Sequence, residues 1–253
     1  MSKNRTSAEL KCQAREQLLG RYGSFVAAEI IYGILVSAVT MFTLFHVDLF
    51  STTGTVIYYA ILFLVQIVCC IFTVGFTYMY LKVLQGAPVS PLDIFYGFKQ
   101  HADKVIIIGF LLTAVCYLVE APYSLLFNYY LENRQTSILL AACIAFLIGE
   151  IISIYISLTF ALAYFIVLDF PGYSAVETLK LSARFMKGHK GRYFYISVSF
   201  LPLALLCLVT FGIGFLWLAP YMGMTFANFY MDLMQTYAAG STKKGEEEKA
   251  ACV

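Results

Sequence analysis

Charge is what this sequence has least of: 13% of its 253 residues are Asp, Glu, Lys or Arg, 60% are apolar, and the mean hydropathy is +0.78. A soluble domain is about a quarter charged, so water is excluded as the main surroundings of this chain. Alternating apolar segments of about ten residues, the mark of a membrane barrel strand, are missing too. The apolar runs are continuous over about 20 residues or more, which leaves helices as the elements able to satisfy their own backbone in hydrocarbon.

Catalytic signatures are also absent. There is no GxSxG, no HExxH and no phosphate-cradling GxxxxGK followed by Ser or Thr. His46, His101 and His189 are far apart in sequence, so no metal site and no cofactor is expected. The seven cysteines (Cys12, Cys69, Cys70, Cys116, Cys143, Cys207, Cys252) lack CxxC spacing and lie mostly inside apolar runs, where cysteine behaves as a small hydrophobe. No nucleic-acid partner is expected.

What is present is six long apolar runs, at about 24–46, 55–81, 105–127, 137–168, 193–210 and 215–235. Each is long enough to cross about 30 Å of hydrocarbon at 1.5 Å per residue. The fourth must tilt or project beyond the bilayer. The last two are joined by Thr210-Phe211-Gly212-Ile213-Gly214, where two glycines permit a tight reversal.

The positive charges are strongly segregated. Lys3, Arg5, Lys11, Arg15 and Arg21 precede the first run; Lys82, Lys99 and Lys104 lie between the second and third; Lys180, Arg184, Lys187, Lys190 and Arg192 lie between the fourth and fifth; Lys243, Lys244 and Lys249 are in the tail. Only Arg134 falls on the opposite side, so the positive-inside rule places both termini in the cytoplasm.

A hydroxyl residue followed three positions later by a carboxylate marks a helix start, and it occurs at Thr6 with Glu9, Ser90 with Asp93, and Ser174 with Glu177. Each opens a cytoplasmic segment leading into a pair of spans. The expected fold is therefore an all-α polytopic membrane protein of six transmembrane helices, built as three repeats of a cytoplasmic amphipathic helix plus a transmembrane hairpin. The repeat units are about 6–82, 90–168 and 174–236, within one membrane domain over 1–237; the polar, charge-balanced tail 238–253 is expected to be disordered. A small residue two positions before a threonine recurs in each even-numbered span, as Gly75 with Thr77, Ser157 with Thr159, and Gly223 with Thr225.

In the third amphipathic segment Lys180, Arg184 and Lys187 share a strip with Glu177, beside a stripe of Val176, Leu179, Ala183 and Met186. Such a helix either lies in the membrane interface with its cations among anionic lipid headgroups or simply docks on the bundle. Candidate headgroup contacts are Lys180, Arg184, Lys187, Lys190 and Arg192.

Glu29, Glu120 and Glu150 interrupt the spans. Glu120 lies 16 residues beyond Lys104 and Glu150 lies 19 before Asp169, or about 24 and 28 Å from the cytoplasmic edge. They occupy the two arms of one hairpin at similar height and form a candidate intramembrane polar site with Ser153, Tyr123 and Tyr155 as partners. The competing reading is that tilt carries Glu150 into the headgroup region. Glu29 is shallow and is expected to pair with Arg21 or Arg192. Pro122 and Pro220 are candidate kinks.

The stretches LKCQAREQLLGRYG (10–23), LKLSARFMKGHKGRYF (179–194) and TFGIGFLWLAPYMGMTFANFY (210–230) resemble a family of bacterial membrane proteins known as domain of unknown function 975. The resemblance runs over nearly the whole chain and implies a bacterial plasma membrane, but it supplies no reaction, substrate or functional residue. More distantly the design resembles the membrane domain that accompanies some glycerophosphodiester phosphodiesterases; no soluble catalytic domain of that kind is present here. The expected activity is non-enzymatic organisation of membrane lipids or partner proteins. A transporter or exporter of a small or amphiphilic solute ranks second, and a membrane enzyme third.

Overall fold

The computed structural model describes residues 5–47, 51–100 and 102–251, with the side chains of Thr52 and of 239–251 outside the described set. Lys3, His101 and Cys252 also fall outside it. Every regular element among the described residues is helical.

Thr6 starts α1 (Ser7–Leu18) as a full capping box: its side chain accepts from the Glu9 N–H, and the Glu9 carboxylate accepts from the Thr6 N–H at 2.7 Å. After Leu19 and Gly20, whose φ of 75° suits glycine, α2 runs Tyr22–His46. It is followed by α3 (Thr52–Leu84). Ser90 caps the next element through the same box with Asp93. Here the product is a short 3-10 helix, Pro91–Phe95, and a single turn, α4 (Tyr96–Lys99), instead of the long amphipathic helix expected.

Then come α5 (Ala102–Asn133) and α6 (Thr136–Phe160), joined through Arg134 at a φ of 55°. The expected fourth run is interrupted, with α7 resuming at Ala163–Asp169. No glycine or proline stands at that break. The Thr159 carbonyl beside it accepts from Ser182 Oγ at 3.2 Å, and a side chain inserted into the helical ladder is a known cause of such breaks. Ser174 then caps α8 (Ala175–Met186).

The fifth run is also divided, into α9 (Lys190–Val198) and α10 (Leu201–Val209), because Pro202 fits only the first turn of a new helix. The reversal after α10 sets Phe211 and Gly212 at positive φ. A side chain on Gly214 would collide with Cys207, its Cβ 2.7 Å from that sulfur. The chain ends in α11 (Phe215–Ala251). Its backbone continues helically past Tyr237, where the composition points to disorder.

Among the described residues, five segments are long and apolar enough to cross a membrane: Tyr22–His46, Thr53–Leu84, Ala102–Asn133, Thr136–Asp169 and Lys190–Val209. The expected sixth span, 215–235, is not among them. It lies in α11, where Asn228 and Asp232 dilute the apolar composition.

Contacts divide the chain into two compact units. The first comprises Met1–Ile34, Val74–Tyr96 and Gly191–Val253. Its core is α11, with Met224, Ala227, Phe229, Tyr230 and Leu233 fully buried. Leu10, Ala14 and Leu18 of α1 are equally buried, and α1 docks on α11. Gly223 is pressed against the Tyr80 ring, where a Cβ would sit 2.2 Å away, and Tyr80 stacks on Phe25 at 5.1 Å. Gly75 admits the Ile94 backbone so closely that a Cβ would fall 1.9 Å from the Ile94 oxygen. Lys82 and Asp93 join the same two segments by a 2.7 Å ion pair.

The second unit comprises Leu35–Thr73 and Gly97–Lys190. Here α5 and α6 form the most extensively packed pair, with buried Gly149 against the Val119 carbonyl. α8 packs on α6 and α7 through Thr178, Ser182 and Met186, all buried.

Candidate functional site

α8 is divided lengthwise into surfaces of different chemistry. Ala175, Thr178, Ser182 and Met186 form the buried face. Lys180, Arg184 and Lys187 are exposed, with Val176 exposed beside them and Leu179 half-buried. This corrects the expected stripe: Met186 belongs to the docked face, whereas Val176 does not. α8 therefore has one docked face and one exposed face.

The start of α8 is held by charge. Glu177 Oε2 accepts from the Ser174 N–H and hydroxyl, both at 2.8 Å. Those bonds, the backbone one first, with Lys180 and Lys104 nearby, hold the Glu177 carboxyl below the usual carboxylate range.

The other two candidate headgroup contacts are engaged inside the protein. Lys190 Nζ donates to Thr159 Oγ1 at 2.6 Å and lies 3.7 Å from the centroid of the Tyr155 ring, a cation–π contact. Arg192 donates to Asp232 at 2.6 Å, also to the Arg5 carbonyl, and lies 5.0 Å from the Phe229 ring. Arg21, the other expected partner of Glu29, donates to the Val83 and Ala87 carbonyls at 3.4 Å each. Glu29 therefore does not form the expected ion pair. Salt bridges join Lys82 to Asp93 and Arg192 to Asp232.

Glu120 and Glu150 line one cavity of about 140 Å³, together with Tyr123, Ala145, Phe146 and Gly149. Gly149, one residue from Glu150, faces Val119 of the other arm, where a Cβ would make ordinary contact with the Val119 carbonyl at 3.5 Å. The Tyr123 and Phe146 rings are 5.1 Å apart. The remaining expected partners lie elsewhere. Tyr155 is not on this cavity's wall and carries Lys190 on its ring, and Ser153, also off the wall, has a buried hydroxyl oxygen without a hydrogen-bond partner. No cluster of three His, Cys, Asp or Glu that could hold a metal occurs among the described residues.

A polar set in the first unit escaped the sequence reading. Asn228 donates to the Leu10 carbonyl at 3.5 Å and Asp232 accepts from Arg192, while Lys11 donates to the Ser199 carbonyl at 3.0 Å and sits 3.9 Å from the Phe200 ring centroid. Burial pushes the Lys11 amine down from its ordinary value. The signal was an Asn and an Asp four residues apart in an apolar run, the spacing that places both on one helix face. Together these bonds fasten α1 to α11 and to the α9–α10 junction.

A second, larger cavity of about 400 Å³ lies between α2 and α3, walled by aliphatic side chains and ended by Phe72 and Phe98. The two rings meet edge to face at 5.2 Å.

Long apolar helices, small-residue contacts between them and an amphipathic helix carrying cations define an all-helical protein suited to membrane insertion. The chain belongs to the family described as Protein of unknown function (DUF975), whose model matches residues 1–237. Neither the curated proteins nor the solved structures contain a match.

Proposed function

We propose that this is a non-enzymatic multi-pass protein of a bacterial plasma membrane that organises anionic lipids, or partner proteins recruited with them, along its cytoplasmic face. The observation that carries this reading is the division of α8: Ala175, Thr178, Ser182 and Met186 dock it, so Val176 and the Lys180, Arg184, Lys187 face remain outward. A helix held that way presents apolar side chains to acyl chains and cations to headgroups, each cation worth about 1 kcal/mol near an anionic surface.

In this reading α11 is the sixth span and both termini are cytoplasmic. Its polar Asn228 and Asp232 are buried, so they are turned toward protein and lipid need not solvate them. The three capping boxes are the starts of three repeats. In support, the position four residues after each cap, Leu10, Ile94 and Thr178, is buried every time. The test uses protein in nanodiscs of mixed phosphatidylcholine and phosphatidylglycerol. Replacing Lys180, Arg184 and Lys187 together by Gln is expected to lower salt-sensitive enrichment of phosphatidylglycerol around the protein several-fold; unchanged enrichment refutes the lipid reading.

A second reading is favoured by one observation, the shared cavity of Glu120 and Glu150. Two carboxylates beside aromatic rings in a span suit a proton- or cation-coupled transporter. That reading predicts proton- or cation-dependent solute flux in proteoliposomes that is lost in Glu120→Gln with Glu150→Gln; flux indifferent to both changes eliminates it.

A further inference from the structure

We infer that the cavity between α2 and α3 is a seat for one acyl chain of an anionic membrane lipid, whose headgroup rests at Lys99. The inference deepens the lipid reading above but stands on different residues. The slot is walled by Leu35 and Val39 from α2 and by Leu64, Val65 and Val68 from α3, and Phe98 lies at one end. Apart from the weakly bonding Cys69 thiol, the side chains of this wall are aliphatic or Phe, and both helices are among those able to cross a membrane, so hydrocarbon is the chemistry that matches it.

Its length agrees. From Ile61 to Phe72 the α3 wall rises about 16 Å at 1.5 Å per residue, close to half of a hydrocarbon core of about 30 Å, and hence to one leaflet. Its end agrees as well. The residue after Phe98 is the exposed Lys99, the last of α4, so a cation stands where a chain leaving the slot would carry its headgroup. In lipid an acyl chain gains nothing from avoiding water, because it is already in hydrocarbon. Shape therefore retains the chain, and the charge at Lys99 selects the headgroup within about a Debye length.

The test is photocrosslinking in phosphatidylcholine nanodiscs containing a small fraction of phosphatidylglycerol with a diazirine in its acyl chain, with adducts mapped by mass spectrometry. Adducts are expected to concentrate on residues 35–39 and 61–72 and to fall several-fold in Val65→Phe, which fills the slot. The surface variant Lys99→Gln, which leaves the packing alone, is expected to erase the preference for phosphatidylglycerol over an equally labelled phosphatidylcholine at those residues. Adducts that persist when Lys180, Arg184 and Lys187 are neutralised support the slot even if the α8 reading fails. Labelling spread evenly over the exposed faces of α5 and α6, or insensitive to both slot variants, overturns the inference. So does a Cys69–Cys69 crosslink between two copies, which would assign the slot to a second chain.

Discussion

Arg192 illustrates how one residue is committed by its neighbours. As a cation at the end of a basic segment it reads as a lipid contact, yet its guanidinium is held by Asp232 at 2.6 Å, with side-chain exposures of 20% and 8%. Removing one partner of such a pair strands the other charge, whereas replacing both by apolar residues of similar size is often neutral. Asp232→Ala is thus expected to cost about 2–3 kcal/mol, below the value for a fully buried pair because the guanidinium keeps some access to solvent. The double change Arg192→Met with Asp232→Leu is expected to recover most of that loss. Thermal unfolding in detergent measures both, and a double variant as damaged as the single one would contradict this account. Lys190 is committed in the same sense by Thr159 and Tyr155. The cations left outward on α8 are the ones that the lipid experiment removes.

Among the elements, the three capped segments have a common habit. α8 packs on α6 and α7, the 3-10 helix at Pro91–Phe95 packs on α3 at Gly75, and α1 packs on α11. Each of the later two leans on the second span of the hairpin before it, and the first leans on the last helix of the chain. Glycine is what brings the 3-10 helix so close. Because a Cβ at position 75 would meet backbone and not a yielding side-chain tip, Gly75→Ala is expected to destabilise by about 3 kcal/mol, the upper end for overpacking. At this chain length that corresponds to a fall of roughly 6–12 °C in thermal midpoint. A melt within a degree or two of the parent would contradict this tight approach. The segment capped by Ser90 makes its contact by backbone against glycine over one short turn, with no long side-chain face to bury.

For the whole molecule, α11 is the element on which the number of spans turns. Hydropathy over a window treats every residue as facing lipid, so a helix that turns Thr225, Asn228 and Asp232 into protein scores low whatever its position. If α11 spans, reporters fused before residue 5 and after residue 237 respond from the same cytoplasmic side. Reporters responding from opposite sides would reduce the protein to the five spans that composition alone supports.

The linear order of residues determined the class of this protein, because long uncharged runs leave no surroundings but hydrocarbon and no spanning element but helix. It determined the three capping boxes too, since a hydroxyl and a carboxylate three residues apart are a local device that needs no distant partner. It placed Glu120 and Glu150 at one height, because rise per residue is constant along a helix. Tertiary structure alone decided which cations stay outward, since Lys190 and Arg192 found partners 31 and 40 residues away. It also decided which stripe of α8 docks, where the fourth and fifth runs break, and which residues wall the acyl-sized slot. Those outcomes depend on which surfaces meet across the fold, and periodicity along one helix does not specify its neighbour.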